Sequence, residues 1–193
     1  MTLLFFRIAL HLSCAAPLIW LYWAIPAGAF GGDPVKELIH FLGIGAIRLL
    51  ILTLAVSPFA KTFKVGQILK LRRALGLWCF TWASLHFATW LSLDLAFDWA
   101  LIGSELVKRT YIVLGFSAWL ILLVLAVTSL PKLVRMLGRR WKKIHGWIYI
   151  ASLIVCIHFW WSVKSGWIEP LIYLLITVAL LSYRKRKLFV AFN

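Results

Sequence analysis

The stretch Arg139–Trp161, RRWKKIHGWIYIASLIVCIHFWW, begins with clustered positive charge and then becomes almost wholly apolar. Two histidines lie in it, His145 at the charged edge and His158 deep in the apolar part. An apolar run of this length predicts a membrane-spanning helix. Because a polar ring inside hydrocarbon is costly unless it has a partner, His158 is a candidate functional residue.

The composition of the whole chain is that of a membrane protein. Of its 193 residues, 63% are hydrophobic and 14% are charged, whereas a soluble domain is roughly half apolar and about a quarter charged. We therefore predict one domain over residues 1–193, an all-α integral membrane bundle of six helices. The predicted spans are about Phe6–Ile25, His40–Pro58, Ala74–Leu91, Tyr111–Leu130, Gly146–Val163 and Trp167–Tyr183. The N-terminus lacks the features of a cleaved signal peptide, so the first span is expected to be retained.

The basic residues predict the orientation of these spans. Most of them, including the tail Arg184–Lys187, fall on one side of the predicted membrane, and all six acids fall on the other. The positive-inside rule makes the basic side cytoplasmic and places both termini there, in a bacterial inner membrane. Charges dispersed over short loops favour contact with membrane lipid, and they do not form the single basic face that binds nucleic acid.

Two histidines lie at the same predicted depth on different helices. His86 in the third span and His158 in the fifth are each roughly 18 Å from the cytoplasmic edge of a core about 30 Å thick. Such a pair is typical of a b-type haem bound by one imidazole from each helix. The plainer alternative is that each histidine bonds a neighbouring helix. Zinc would need more ligands at that depth. The three cysteines form neither a CxxC nor a CxxCH motif, which excludes covalent c-type haem attachment.

Two further residues are candidates to contact this haem. Trp82 belongs to a stripe of large side chains at every fourth position of the third span, which predicts either a wall of the porphyrin site or a helix interface. Arg48, about 15 Å deep in the second span, has no acid at its level. A haem propionate would pair with it, and a water-filled cavity is the alternative.

His145 predicts a second cofactor near the cytoplasmic face. It lies about 19.5 Å before His158 along an ideal helix, but the two rings would point about 140° apart. The position opposite His145 on the third span holds Arg72 and Arg73. Its partner could therefore be a second haem with an irregular ligand, a quinone, a flavin phosphate beside the arginines, or lipid headgroups. His11 and His40 are expected to be structural, and no internal repeat is evident.

The chain resembles the MsrQ family, the haem-binding membrane subunits of periplasmic methionine sulfoxide reductase systems within the ferric-reductase-like transmembrane group. The resemblance rests on GGDPVKELIHFLGIGAIRLLILTLAVSPF, LRRALGLWCFTWASLHF, VKRTYIVLG and LGRRWKKIHGWIYIASLIVCIHFWWSVK. It implies b-type haem binding by the histidines matching His86, His145 and His158. The wider group has two histidines on each of two helices, and this chain departs from that pattern at Arg72 and Arg73, which leaves the second haem open.

The resemblance also implies the partners. Electrons would come from the quinone pool, or through FMN from a cytosolic flavin reductase. They would pass to a periplasmic molybdopterin enzyme that forms a heterodimer with this chain and repairs oxidised proteins. The chain would be the electron-transfer subunit and not the catalytic one, with outer loops around Asp94, Asp98 and Glu105 as a docking surface. It contains no GxGxxG motif for a nicotinamide or flavin domain of its own.

Two other functions fit parts of the pattern. A transmembrane ferric or cupric reductase would pass electrons directly to an outer metal ion. A transporter would use Arg48 and the histidines as a substrate or proton path. A transporter would be expected to have broken helices or repeated halves, and the sequence displays neither.

Overall fold

The computed structural model describes residues 2–163 and 166–183, and within them all regular secondary structure is helical. Lys164 and the predicted cytoplasmic tail Arg184–Lys187 lie outside the described residues. The α-helices are α1 (Thr2–Ala24), α2 (Pro34–Thr62), α3 (Arg72–Thr89), α4 (Trp99–Lys108), α5 (Thr110–Val127), α6 (Pro131–Leu137), α7 (Arg139–Gly146), α8 (Ile148–Ser162) and α9 (Ile168–Ser182). A 3₁₀ helix, Gly66–Leu71, precedes α3, and a π-helical turn, Trp90–Asp94, follows it.

The membrane character predicted from composition is confirmed. Among the described residues, four helical segments are long and apolar enough to cross a bilayer, and α9 is a shorter apolar helix. The four segments are Leu3–Ala24, Pro34–Thr62, Thr110–Val127 and Arg139–Ser162. The third predicted span forms α3 but is less apolar than these, since Arg72, Arg73 and His86 lower its mean hydropathy. The protein is a multi-pass membrane protein; the count of six spans stays a prediction.

The chain divides into two units, residues 1–98 and 99–193. In the first unit α2 packs along α3, and Leu50 and Leu54 are almost wholly buried. Trp82 of α3 lies directly against the backbone of Gly45, whose missing side chain gives the indole its room. The indole Nε1 donates to the carbonyl of Cys14 at 3.1 Å, which ties α1 to α3.

In the second unit α5 packs along α8, and α8 packs against α9. Small side chains make the first contact close, because Ala118 and Ala151 are buried. The second contact contains a polar pair, Cys156 Sγ and Thr177 Oγ1, which lie 3.3 Å apart. Both cores therefore consist of helix pairs that bury one face and leave large apolar side chains exposed, as expected where lipid is the solvent.

The start of α2 follows the rules for helix N-termini. Asp33 is the N-cap and accepts hydrogen bonds from the side chain and the backbone N–H of Lys36. Pro34 takes the first helical position, where its missing N–H costs nothing. The hydrogen bonds from Lys36 lower the pKa of the Asp33 carboxyl. The cap is therefore ionised at neutral pH and favours the positive end of the helix dipole.

Two connections differ from the loops expected from the sequence. The segment after α3 contains the amphipathic helix α4, so Glu105 lies on a helix and pairs with Arg109 at 2.8 Å. On the basic side, the charged run before the fifth span is also helical. It forms α7, and the chain turns at Trp147 before α8 begins. Both segments are too short and too polar to form an apolar run of membrane-spanning length, which is why they read as loops.

Candidate functional site

His86 is held by the backbone of a neighbouring helix. It lies on α3, half-buried, with its Nδ1 2.8 Å from the carbonyl oxygen of Ile39 on α2. The ring also lies against Gly43 of α2, where a Cβ atom would be 3.1 Å from both Cε1 and Nδ1. The contact belongs to the first unit alone and requires α2 and α3 to approach closely at this point.

His158 is held in the same manner within the second unit. Its Nδ1 lies 2.7 Å from the carbonyl oxygen of Tyr111 on α5. A Cβ atom on Gly115 of α5 would be 2.7 Å from Cε1 of the imidazole and 2.8 Å from Nδ1. Each predicted ligand therefore bonds a carbonyl on its partner helix next to a glycine.

These two arrangements are equivalent positions of an internal repeat. A constant shift of 72 positions carries Ile39, Gly43 and His86 onto Tyr111, Gly115 and His158. The same shift aligns DPVKELIHFLGIGA, residues 33–46, with ELVKRTYIVLGFSA, residues 105–118. The expectation that the chain has no repeat was wrong. The repeat was missed because identical residues are few and scattered outside that segment. The equivalent contacts make the repeat evident, since both hydrogen bonds span 47 residues.

The hydrogen bonds determine which ring nitrogen can bind a metal. A backbone carbonyl only accepts, so Nδ1 of both imidazoles must be the protonated nitrogen. In a neutral ring Nε2 then carries the lone pair, and a carbonyl bonded to the other nitrogen both orients the ring and raises its basicity. No group of three or more His, Cys, Asp or Glu side chains suited to a metal ion occurs in the described part of the chain. Each imidazole can offer Nε2 as a single ligand, which is what a haem iron needs from each axial residue because the porphyrin supplies its equatorial ligands.

Comparison with known proteins identifies the family. Residues 5–156 match the family described as ferric reductase like transmembrane component. The relative from Cronobacter sakazakii, named protein-methionine-sulfoxide reductase heme-binding subunit MsrQ, is 44% identical, covering 94% of this chain and 92% of its own. Relatives of the same name from Klebsiella pneumoniae subsp. pneumoniae and Salmonella newport are 43% and 44% identical and cover 94% of this chain, and 90% and 92% of their own. The chain belongs to the MsrQ family.

Membership of the family confirms the resemblance seen in the sequence. It also bears on the transporter alternative. The repeat removes one of the two objections to a transporter, since repeated halves are present after all. The relatives that match this chain are named as heme-binding subunits and not as transporters.

His145 has a different environment. It closes α7, with Nε2 3.0 Å from Oγ1 of Thr128 and its ring stacked on Trp141 at a centroid distance of 4.0 Å. The Thr128 hydroxyl also lies 2.7 Å from the carbonyl oxygen of Val124, to which it can donate while it accepts from a protonated Nε2 of His145. In that arrangement the lone pair of His145 would be at Nδ1, the reverse of His86 and His158.

The other predicted site residues lie in the first unit. Arg48 is exposed on α2, and Trp82 is only 4% exposed, with its indole hydrogen-bonded to Cys14. Arg72 and Arg73 are the first two residues of α3. The repeat is not kept at these positions: Leu120 corresponds to Arg48, and His145 corresponds to Arg73. The first-unit equivalent of His145 is therefore an arginine.

Sequence reasoning missed Gly43, Gly115, Thr128 and Trp141. A search for a repeat would have found the two glycines, because each lies 43 residues before its histidine. No sequence signal pointed to Thr128 or Trp141. Their contact with His145 depends on the break between α7 and α8 and on where α5 ends, and short patterns do not define either feature.

Proposed function

We propose that this chain is a haem b-binding, electron-transferring membrane subunit of a periplasmic protein-methionine-sulfoxide reductase, and that it resides in a bacterial inner membrane with six spans and both termini cytoplasmic. One observation carries the proposal. Two helical histidines, at equivalent positions of a repeat, have Nδ1 bonded to a backbone carbonyl and Nε2 left as the nitrogen with a lone pair. The relatives named as heme-binding subunits support it.

His86 and His158 would hold the haem through Nε2. Haem iron with two imidazole ligands supplies reversible one-electron transfer between Fe(III) and Fe(II). The protein's own contribution is to fix both rings in one tautomer and to surround them with apolar helix faces that exclude water. Arg48 would pair with a propionate, since an exposed guanidinium on a membrane helix favours a charged partner. Trp82 would line the site from within the core of the first unit.

The cytoplasmic end of the chain would receive the electrons. His145 and the basic side chains of α7 would lie at that end, as would Arg72 and Arg73 at the start of α3. These groups suit a second haem, a quinone headgroup or the phosphate of FMN, and the donor would be quinol or a cytosolic flavin reductase. On the outer side, Asp94, Asp98 and Glu105 would dock the molybdopterin subunit as a heterodimer.

The test of the proposal is spectroscopic. The full chain, purified in detergent, should show b-type bands in a reduced-minus-oxidised spectrum, and quinol or a reduced flavin reductase should produce the reduced form. Affinity purification of the chain should co-purify a periplasmic molybdenum enzyme that accepts the electrons. Absence of b-type bands would refute the proposal, and reduction of ferric chelates with no molybdenum partner would favour a ferric reductase instead.

Substitution of His145 decides its role. We expect the His145→Ala variant to keep the haem held by His86 and His158. The imidazole that it removes is hydrogen-bonded to Thr128 and not to either of these histidines. Haem per polypeptide is the measurement. A fall from two to one makes His145 the ligand that the sequence predicts, whereas an unchanged count with slower reduction by quinol places it at the donor site. Loss of all haem would contradict this assignment of ligands.

A further inference from the structure

Gly43 and Gly115 lie inside membrane helices, where glycine destabilises a helix relative to alanine. Gly43 is in the N-terminal part of α2 and Gly115 is in the N-terminal part of α5. At each, the space that a Cβ atom would take is occupied by an imidazole of another helix. Because glycine lowers helix stability at both of these equivalent positions, the open space beside it is expected to have the same role at each.

The geometry of an α-helix explains the need. The carbonyl of residue i−4 accepts a hydrogen bond from the N–H of residue i, and its second lone pair remains available. The side chain of residue i leans back over that carbonyl. Two side chains of this protein reach the carbonyl of residue i−4 in this way. Thr53 Oγ1 donates to the carbonyl of Leu49, and Ser117 Oγ donates to that of Val113, each at 2.8 Å.

Ile39 is the residue four positions before Gly43, and Tyr111 is the residue four positions before Gly115. The two carbonyls that the imidazoles use are therefore the two that a side chain at position 43 or 115 would cover. Glycine leaves the second lone pair of each carbonyl accessible from the neighbouring helix. His86 and His158 reach it through this gap, at 2.8 and 2.7 Å.

We propose that Gly43 and Gly115 are a matched pair of positioning residues, each of which uncovers the backbone carbonyl that holds an axial histidine in its ligand tautomer. The inference rests on the proposed haem function. Neither glycine touches the iron; each acts through the imidazole beside it. A methyl group at either position would push the ring off its carbonyl, more so at Gly115, where the Cβ contact is 2.7 Å against 3.1 Å at Gly43.

The experiment compares Gly115→Ala and Gly43→Ala with Gly76→Ala. Gly76 is a helical glycine of α3 whose Cβ would meet only Thr53 Cγ2, at 3.9 Å. Haem is titrated into the haem-free chain in detergent, and the ferric low-spin EPR signal is recorded, since it reports the orientation and hydrogen bonding of axial imidazoles. Loss of such an orienting contact should weaken haem binding by about 10- to 100-fold. We expect the larger loss and the larger EPR change at Gly115, and neither in Gly76→Ala.

Gly115→Ser provides a second test. Its hydroxyl should bond the Tyr111 carbonyl itself, as Ser117 bonds Val113, and so displace the imidazole. If the variants at Gly43 and Gly115 keep the haem affinity and the EPR signal of the wild-type chain, the inference is overturned and the haem function stays intact. The inference would also fail if these variants lowered only the thermal stability of the haem-free chain. If Gly115 variants do not fold, the milder Gly43→Ala decides. Absence of haem from the wild-type chain would instead refute the proposed function.

Discussion

His158→Ala and His86→Ala should each abolish the low-spin b-type spectrum and reduce haem affinity by more than about 100-fold. Even residues that only orient a metal ligand cost about 10- to 100-fold when they are replaced, so removal of the ligand itself should cost more. The two losses should be similar, because the histidines occupy equivalent positions of the repeat and make the same backbone hydrogen bond. The measurements are haem titration and the EPR signal of the purified chain.

The matched control is His40→Ala, which removes an exposed imidazole of α2 and should leave the haem spectrum unchanged. A further arm replaces His158 by glycine and adds free imidazole, which should restore a six-coordinate spectrum if the lost group is a ligand. A wild-type low-spin spectrum in either alanine variant would contradict the assignment of that histidine.

Gly45→Ala should destabilise the first unit strongly. A Cβ atom at this position would fall on Cε3 and Cζ3 of Trp82, far inside van der Waals contact. The indole has little room to retreat, because it is buried and its Nε1 donates to the Cys14 carbonyl. Overpacking of this kind costs about 1–3 kcal/mol or more in free energy of unfolding. Thermal unfolding in detergent should show the loss.

A double variant separates the clash from a general effect of alanine. Gly45→Ala combined with Trp82→Leu should recover part of the stability, since the smaller side chain leaves room for the methyl group. Gly76→Ala serves as the control, because it faces no close neighbour and replaces glycine by a better helix former. An unchanged unfolding temperature in Gly45→Ala would mean that Trp82 does not pack on α2 as described.

Much of the fold was predictable from the sequence because a bilayer imposes simple rules. The α5 and α9 helices, for example, begin and end within a few residues of the predicted spans. The prediction was less complete for α4 and α7, which are short and amphipathic or charged and lack an apolar run. Arg48 was expected at depth from its position in the second span; its side chain is exposed on α2, and its depth in the bilayer stays a prediction.

The site was predictable only in part. His86 and His158 stand out in the sequence because imidazoles are rare in hydrocarbon. The tautomers of these two imidazoles could not be predicted, since the nitrogen that is protonated depends on a carbonyl 47 residues away. Trp82 was predicted to line the haem; the structure shows it packed on Gly45 and bonded to Cys14, and its contact with haem stays a prediction. His145 was predicted as a ligand, and its bond to Thr128 could not be read from spacing.

By itself the sequence determined that this chain is a helical membrane protein of the MsrQ family with histidines in its apolar segments, because hydropathy and residue type are local properties. The tertiary structure alone decided that α2 approaches α3, and α5 approaches α8, closely enough for each histidine to reach a carbonyl beside a glycine. That contact depends on which helix faces meet. Helix pairing joins residues far apart in the chain, so no local pattern encodes it, and the repeat became evident only when both pairs showed the same bond.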